Sequence, residues 1–360
     1  MSGAAARAEG QRLFGAFQAL GARPIEAAVL QPAGTLLDLY GEDIRARAYV
    51  TLDPALGEMM LRPDFTVPVV QAHMAGGADP ARYCYLGEVF RQQSGGRARE
   101  YLQVGYEVFD RDQPLRADAE VFALFARMLQ GRGLRAASGD FAILIAAVQG
   151  LPTSATRKAA LMRHLWRPGR FRALLERYAG RAPLPAGRAA LLERLAAGDP
   201  VASAAPQIGL RTREQIDARL ARLAEDAATP AIPGAVVDAL ESLLALADKA
   251  PQALAQMQML AGQMPWITPA LARFEQRLTV LGAHGVDVAG LDFEAAYGRT
   301  TLEYYDGFVF GFFAEGRDLP PVASGGRYDA LTSVLGQGRS IPAVGGVIRP
   351  DLLVELESAR

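Results

Sequence analysis

The sequence predicts an α+β protein: a mainly antiparallel sheet flanked by helices and interrupted by a helical insert. Three observations carry this. Short runs rich in aromatic and β-branched residues fill residues 1–150, Ala/Leu/Arg/Glu-rich segments punctuated by proline fill 151–275, and strand signals return within 276–360.

In chain order, a helix is predicted over 9–21, followed by strand-like runs "ARAYVTL", "YCYLGEVF", "YLQVGYEVF" and "FAILIAAV", separated by Gly or Pro signals. Between the last two, "RADAEVFALFARMLQGRG" reads as a helix, with acidic residues early and Gly at its end. In the insert, apolar residues recur at three- and four-residue steps, as at Ile216, Leu220 and Leu223. Thr268 and Pro269 read as an N-cap and a first-turn proline. No fixed period links these segments, so they predict a bundle of unlike helices rather than a solenoid. "VDVAGLDF", "TLEYYDGFVFGFFAE" and "SGGRYDALTSVLG" then resume the strand-rich core.

Composition narrows the class. Half of the 360 residues are apolar, 21% are charged and the formal net charge is −1, which offers no overall pull towards nucleic acid. Three histidines and one cysteine exclude an internal disulfide and argue against a Cys/His metal site. Cys84 reads as a small buried apolar residue, and His73, His164 and His284 as surface or cap residues. The N-terminus is interrupted by Glu9 and Gln11, unlike a secretory signal, and no run of about 18 apolar residues occurs. The expectation is a cytoplasmic protein that binds neither membrane nor nucleic acid.

"GEVFRQQSGGRAREYLQVGYE" (87–107) reads as a β-hairpin. On its returning strand Leu102, Val104, Tyr106 and Val108 face one way, and Gln103, Gly105 and Glu107 the other. Arg91, just before the loop, joins the polar set near Gln103. Such a surface suits a zwitterion: guanidinium for a carboxylate, Glu107 for an ammonium, and Gln103 with one donor and one acceptor group. By spacing alone, a solvated polar ladder on the outer face of an antiparallel sheet is the commoner outcome.

The hairpin has company. "LRPDFTVPVVQ" (61–71), the hairpin itself, "LEYYDGFVF" (302–310) and "SGGRYDALTSVLG…IPAVGG" (324–346) occur in this order. Together they resemble the catalytic core of histidyl-tRNA synthetase, a class II aminoacyl-tRNA synthetase, with 151–275 at the place of that family's helical insert. The resemblance implies a six- or seven-stranded antiparallel sheet and a dimer, with Pro32 of "AVLQPAGTLLDLYG" in the first class II motif at its interface. It also implies a histidine pocket. Asp64 would face the ammonium with Thr66 as its neighbour, Gln103 and Glu107 would hold the polar groups, and Tyr304, Tyr305 and Tyr328 would be the pocket's tyrosines. Arg91 matches the arginine of the second class II motif, which in synthetases contacts ATP phosphate and the activated carboxylate.

Departures from that family shape the functional expectation. "TTLEYY" puts Thr300 where the family's catalytic arginine belongs, with Arg299 one residue early and on the opposite face of a strand unless a bulge intervenes. "AVGGVIRPDLL" puts Leu352 at the third motif's ATP-binding arginine, with Arg349 three residues early and Pro350 between. Gln93 stands at the acidic position after the second motif's arginine. Losing two cations that offset phosphate and carboxylate charge would cost several orders of magnitude in rate, at about 1.4 kcal/mol per tenfold. The chain runs only to Arg360, so the expectation is that a synthetase's anticodon-binding domain is absent.

A kept pocket with degraded catalysis is similar to the regulatory subunits of ATP phosphoribosyltransferase. That resemblance implies a non-enzyme acting at the first step of histidine biosynthesis. It would be a homodimer within a hetero-oligomer, activating a short-form catalytic subunit, with histidine as allosteric ligand and no cofactor or metal. Histidine would lie against Asp64, Thr66, Arg91, Gln103, Glu107, Tyr304, Tyr305 and Tyr328. One rival is a truncated amino-acid-adenylating enzyme, which needs Arg299 or Arg349 to reach ATP. Another is a histidine-binding protein with an unrelated partner.

Overall fold

The computed structural model describes residues 2–40, 47–93, 96–202, 209–298 and 304–358. It contains two compact units. One is made of Met1–Ile143, Leu246–Gln256 and Pro269–Arg360, the other of Leu144–Ala245 and Met257–Thr268.

The first unit is built on strands β1 (Arg23–Pro24), β2 (Leu30–Pro32), β3 (Val50–Asp53), β4 (Gly57–Leu61), β5 (Ala81–Phe90) and β6 (Glu100–Phe109). They are followed by β7 (Leu134–Asp140), β8 (Ala247–Lys249), β9 (Asp292–Glu294), β10 (Phe308–Ala314), β11 (Ala323–Arg327) and β12 (Ala343–Ile348). Among the described residues nine of them form one sheet in the order β1-β5-β6-β12-β11-β10-β7-β9-β8, and β2-β4-β3 form a second. The large sheet is antiparallel except for the short β1–β5 and β7–β9 pairings, which are parallel. It thus exceeds the six or seven strands expected. The additional edge pieces, two or three residues long, are too short to show a two-residue period in sequence.

Helix α1 (Ser2–Ala19) begins well before residue 9, and α2 (Ala33–Tyr40) and α3 (Thr66–Met74) follow it. Helix α4 (Pro114–Met128) opens with proline in its first turn, where the missing N–H costs nothing. Its Phe122 and Phe125 pack on Phe310 of β10 with ring centroids 5.4 and 5.6 Å apart. Phe17 of α1 packs on Tyr106 at 5.3 Å, so the even-numbered face of β6 lies in the core. The opposite face is buried as well, with Gln103 and Glu107 only 3% and 1% exposed. The solvated ladder is therefore not what forms. Helix α3 supplies Thr66 above this second face, and α13 (Asp329–Leu335) follows Tyr328, which is buried there too.

"FAILIAAV", read as a strand, is helix α5 (Phe141–Gln149). It is apolar on every side, so its period is mute. The helix start is fixed by Asp140, whose Oδ1 accepts the N–H of Ala142 at 2.9 Å. His73, read as a surface residue, is 1% exposed, because the ring stacks on Phe109 at 3.9 Å in the first unit's core.

The second unit contains α6 (Ala155–Arg163), α7 (Pro168–Tyr178), α8 (Ala186–Ala197), α9 (Arg213–Ala228) and α10 (Gly234–Ala245). Its core holds Leu161, Leu165, Phe171, Leu175, Val237 and Leu240. Arg157, 7% exposed, donates from Nε to Asp226 at 2.6 Å and lies over the Tyr178 ring at 4.9 Å. Helix α11 (Ala250–Leu260) starts in the first unit and runs into the second, α12 (Thr268–Ala283) returns the chain to the first, and α14 (Pro350–Ser358) is the first unit's last helix among the described residues.

Candidate functional site: a buried carboxylate beneath a polar cavity

The β5–β6 register pairs Tyr83 with Glu107, Tyr85 with Gly105 and Gly87 with Gln103. Odd-numbered residues of both strands therefore share one face. Arg91 continues that face beyond β5, bridged to Ala48.

Glu107 is the hub. Its Oε2 accepts from the Tyr328 hydroxyl at 2.6 Å, and its Oε1 from Tyr85 at 3.0 Å and Thr66 at 3.3 Å. Burial pushes its carboxyl up to about 7, although the three hydroxyls pull the other way. Burial, and then the charge of Glu107, hold the Tyr85 and Tyr328 hydroxyls well above the usual range, so both remain donors.

Glycines make this crowding possible. A Cβ on Gly105 would sit 2.1 Å from Tyr85 Cζ, and one on Gly345 of β12 would sit 1.4 Å from Glu107 Oε2. The middle glycine of "Q-x-G-x-E" thus clears room for a tyrosine from the neighbouring strand. Tyr85 is the residue that sequence reasoning missed. Its signal was that glycine, opposite an aromatic once the strands are paired. Phe65 stacks on Tyr85 at 4.3 Å and closes the layer from the α3 side.

Above this floor lies a cavity of about 720 Å³, within the range of small-molecule sites. Asp64, Thr66, Arg91, Gln103, Tyr304 and Tyr305 line it, with Gln93, Arg97 and Arg349 farther along. Tyr304 Oη donates to Thr66 Oγ1 at 3.5 Å, and its ring meets that of Tyr305 at 4.7 Å. Glu107 and Tyr328 lie beneath the wall rather than in it. Arg91 Nη2 donates to the Tyr101 hydroxyl at 2.7 Å. The side-chain carbonyl of Gln103 is buried on this wall with no hydrogen-bond partner. An unmet buried acceptor costs about 1–3 kcal/mol, which a ligand N–H would recover. Guanidinium, carboxylate and an unmet amide acceptor around one hollow are the complement of an α-amino acid.

Leu352 is fully buried in α14, away from the cavity wall. Thr300 and Arg299 fall outside the described residues. Arg349 is in the wall, donating to Gln93 Oε1 at 2.7 Å and to Asp351 at 2.9 Å over the Tyr101 ring. A smaller cavity of about 580 Å³ opens near the start of β7, but its Arg135 and Lys249 already pair with Asp292. Among the described residues no three His, Cys, Asp or Glu side chains converge as a metal site, and no helix is long and apolar enough to cross a membrane.

The sequence matches the family described as Histidyl-tRNA synthetase over residues 3–231 and 214–353. Solved structures share the fold. One from Bacillus halodurans, titled ATP phosphoribosyltransferase regulatory subunit/histidyl-tRNA synthetase, superposes with a TM-score of 0.66 at 23% identity, covering 98% of this chain and 79% of that one. A histidyl-tRNA synthetase from Nostoc gives 0.62 at 19%, covering 98% and 71%. Proteins named ATP phosphoribosyltransferase regulatory subunit are more similar in sequence. That of Rhizobium etli is 35% identical, covering 92% of this chain and 93% of its own, and that of Mesorhizobium japonicum is 34% identical, covering 95% of each. With a class II synthetase fold and relatives of this identity along nearly its whole length, this chain belongs to the ATP phosphoribosyltransferase regulatory subunit family, within the histidyl-tRNA synthetase-like proteins.

Proposed function

We propose that this chain is a non-catalytic subunit that activates a short-form ATP phosphoribosyltransferase catalytic subunit and senses free histidine for feedback inhibition. The observation that carries the sensing role is the buried, unpartnered Gln103 carbonyl in a cavity wall that also holds Asp64 and Arg91. Histidine is then an allosteric ligand: its carboxylate meets Arg91, its ammonium the acidic side, and its ring the Tyr304–Tyr305 pair. Glu107 and Tyr328 hold the floor. A ligand that favours one state of the subunit shifts the partner by a coupling of about 1–3 kcal/mol. The names of the relatives support the partnership and the cytoplasmic biosynthetic setting. Exposed Leu30, Val50, Leu52 and Leu56 on the small sheet around Pro32 support self-association into a homodimer inside the hetero-oligomer.

Calorimetry of histidine on the wild type and Gln103→Ala, alongside activation of the catalytic subunit with and without histidine, tests this. Binding unchanged by the substitution would remove the pocket assignment. A second reading, amino-acid adenylation, is favoured by Arg349 in the cavity wall. Histidine-dependent ATP–pyrophosphate exchange would establish it and overturn the non-catalytic reading.

A further inference from the structure

The chain's near-neutral charge conceals a division. The unit of residues 144–245 and 257–268 holds fourteen Lys and Arg against nine Asp and Glu, whereas the remainder holds twenty-four against thirty. The surplus is concentrated around α6 and α7. Between Asp140 and Glu176 there is no acidic residue, but there are Arg157, Lys158, Arg163, Arg167, Arg170 and Arg172.

Arg157 is buried and neutralised by Asp226. Arg163, Arg170 and Arg172 are exposed and form no ion pair among the described residues. Elsewhere in the same unit, Arg181 and Arg213 each bind carboxylates. Half-buried His164 sits at the centre of the basic turn, and burial together with Arg167, Arg170 and Arg163 holds its imidazole below the usual range. Cations gathered without counter-charge destabilise the fold that carries them. Such a face is therefore complementary to an anionic surface. Its composition suits a protein: arginine with a half-buried Trp166 is the residue mixture of interface anchors. An extended polyanion finds no general attraction to the chain, whose formal net charge is −1.

We propose that the exposed face of the α6–α7 turn, with Arg163 and Arg170 on either side of Trp166 in sequence, docks on an acidic patch of the catalytic subunit. This rests on the reading above that the chain has such a partner, and it names the surface that partner meets. Steering by opposite charge would speed the encounter and make it salt-sensitive.

The test uses the full chain in three forms: wild type, Arg163→Glu/Arg170→Glu, and the control Arg219→Glu/Arg222→Glu, an equal charge change at exposed α9 positions. Each is titrated into the short-form catalytic subunit at low and high salt, following activation, and thermal melting verifies the fold. The patch variant should need at least ~10-fold more protein for half-activation at low salt, with an unchanged plateau and a flattened salt dependence. The control should stay within about twofold of wild type. Equal shifts in both variants, or none in the patch variant, would overturn the proposal. So would a patch variant that keeps its partner but loses retention of an RNA oligonucleotide. A wild type that neither binds nor activates the catalytic subunit would defeat the functional reading itself, a result visible without any variant.

Discussion

The hydroxyl of Tyr328 donates to Glu107 Oε2 at 2.6 Å, fastening the residue just after β11 to the C-terminal half of β6 across β12. Tyr328→Phe removes the shortest of the three bonds to this carboxylate and leaves the ring in place. A hydrogen bond to a charged group contributes about 1.5–3 kcal/mol, so stability at pH 8 should fall by that order. At pH 5 the carboxyl is protonated and the loss should be smaller. Denaturant unfolding at the two pH values reads the difference directly, and an equal loss at both would mean that the carboxylate is not the partner.

The sign of the pH dependence follows from Glu107 itself. Its folded value, raised to about 7 by burial, lies above the ordinary 4.5, so the folded state holds the proton more tightly than the unfolded chain. The associated stability is complete below about 4.5 and disappears as pH rises through about 7, at up to about 1.4 kcal/mol per pH unit. Glu107→Gln cannot titrate and should lack this decline. A urea-unfolding series from pH 5 to 8 should show the two proteins converging or crossing as pH rises, and parallel curves would contradict the assignment.

Close approach at the glycines is equally testable. Gly105→Ala would drive a methyl into the Tyr85 ring, and Gly345→Ala into the Glu107 carboxylate. Neither neighbour is free to move, since Phe65 stacks on the Tyr85 ring, and Thr66 and Tyr328 both donate to the Glu107 carboxylate. Each substitution should cost about 1–3 kcal/mol, and Gly105→Ala should also weaken histidine binding measured by calorimetry. A variant that melts like wild type would show that the strands part more easily than this packing implies.

The hairpin illustrates what a single sequence conveys. Alternation correctly separated Leu102, Val104, Tyr106 and Val108 from Gln103, Gly105 and Glu107, because a strand's period is fixed by its backbone. Whether the polar face meets solvent is decided by what lies over it, and Thr66, Tyr85 and Tyr328 come from other elements. Tyr85 was hidden for the same reason: in "YCYLGEVF" it is one more apolar-strand residue until pairing places it against Gly105. His73 went astray because stacking on Phe109 is a tertiary contact. The uniformly apolar α5 has no face to display, so only its capping Asp140 distinguishes it from a strand.

Asp118 gives the sharpest energetic test. This α4 residue, fully buried, accepts from Arg277 Nε at 2.8 Å and from Arg327 Nη2 at 2.7 Å. Arg277 also pairs with Asp140, and Arg327 with Asp329 at 3.0 Å. Two guanidinium groups, each under 3% exposed, thus share one carboxylate. Asp118→Ala removes the carboxylate they share and leaves each with a single acidic partner, and removing one partner from a buried pair typically costs about 3–5 kcal/mol. Adding Arg327→Met removes one of the two cations that lost Asp118 and replaces it with an apolar side chain of similar length. The double variant should therefore be destabilised by well under the sum of the single losses, a coupling of the order of 1–3 kcal/mol in a double-mutant cycle. Arg327 immediately precedes Tyr328, so Arg327→Met should also loosen the floor beneath the cavity and weaken histidine binding. Additive losses in unfolding, with ligand affinity untouched, would show that the two arginines act independently and that the network does not brace the site.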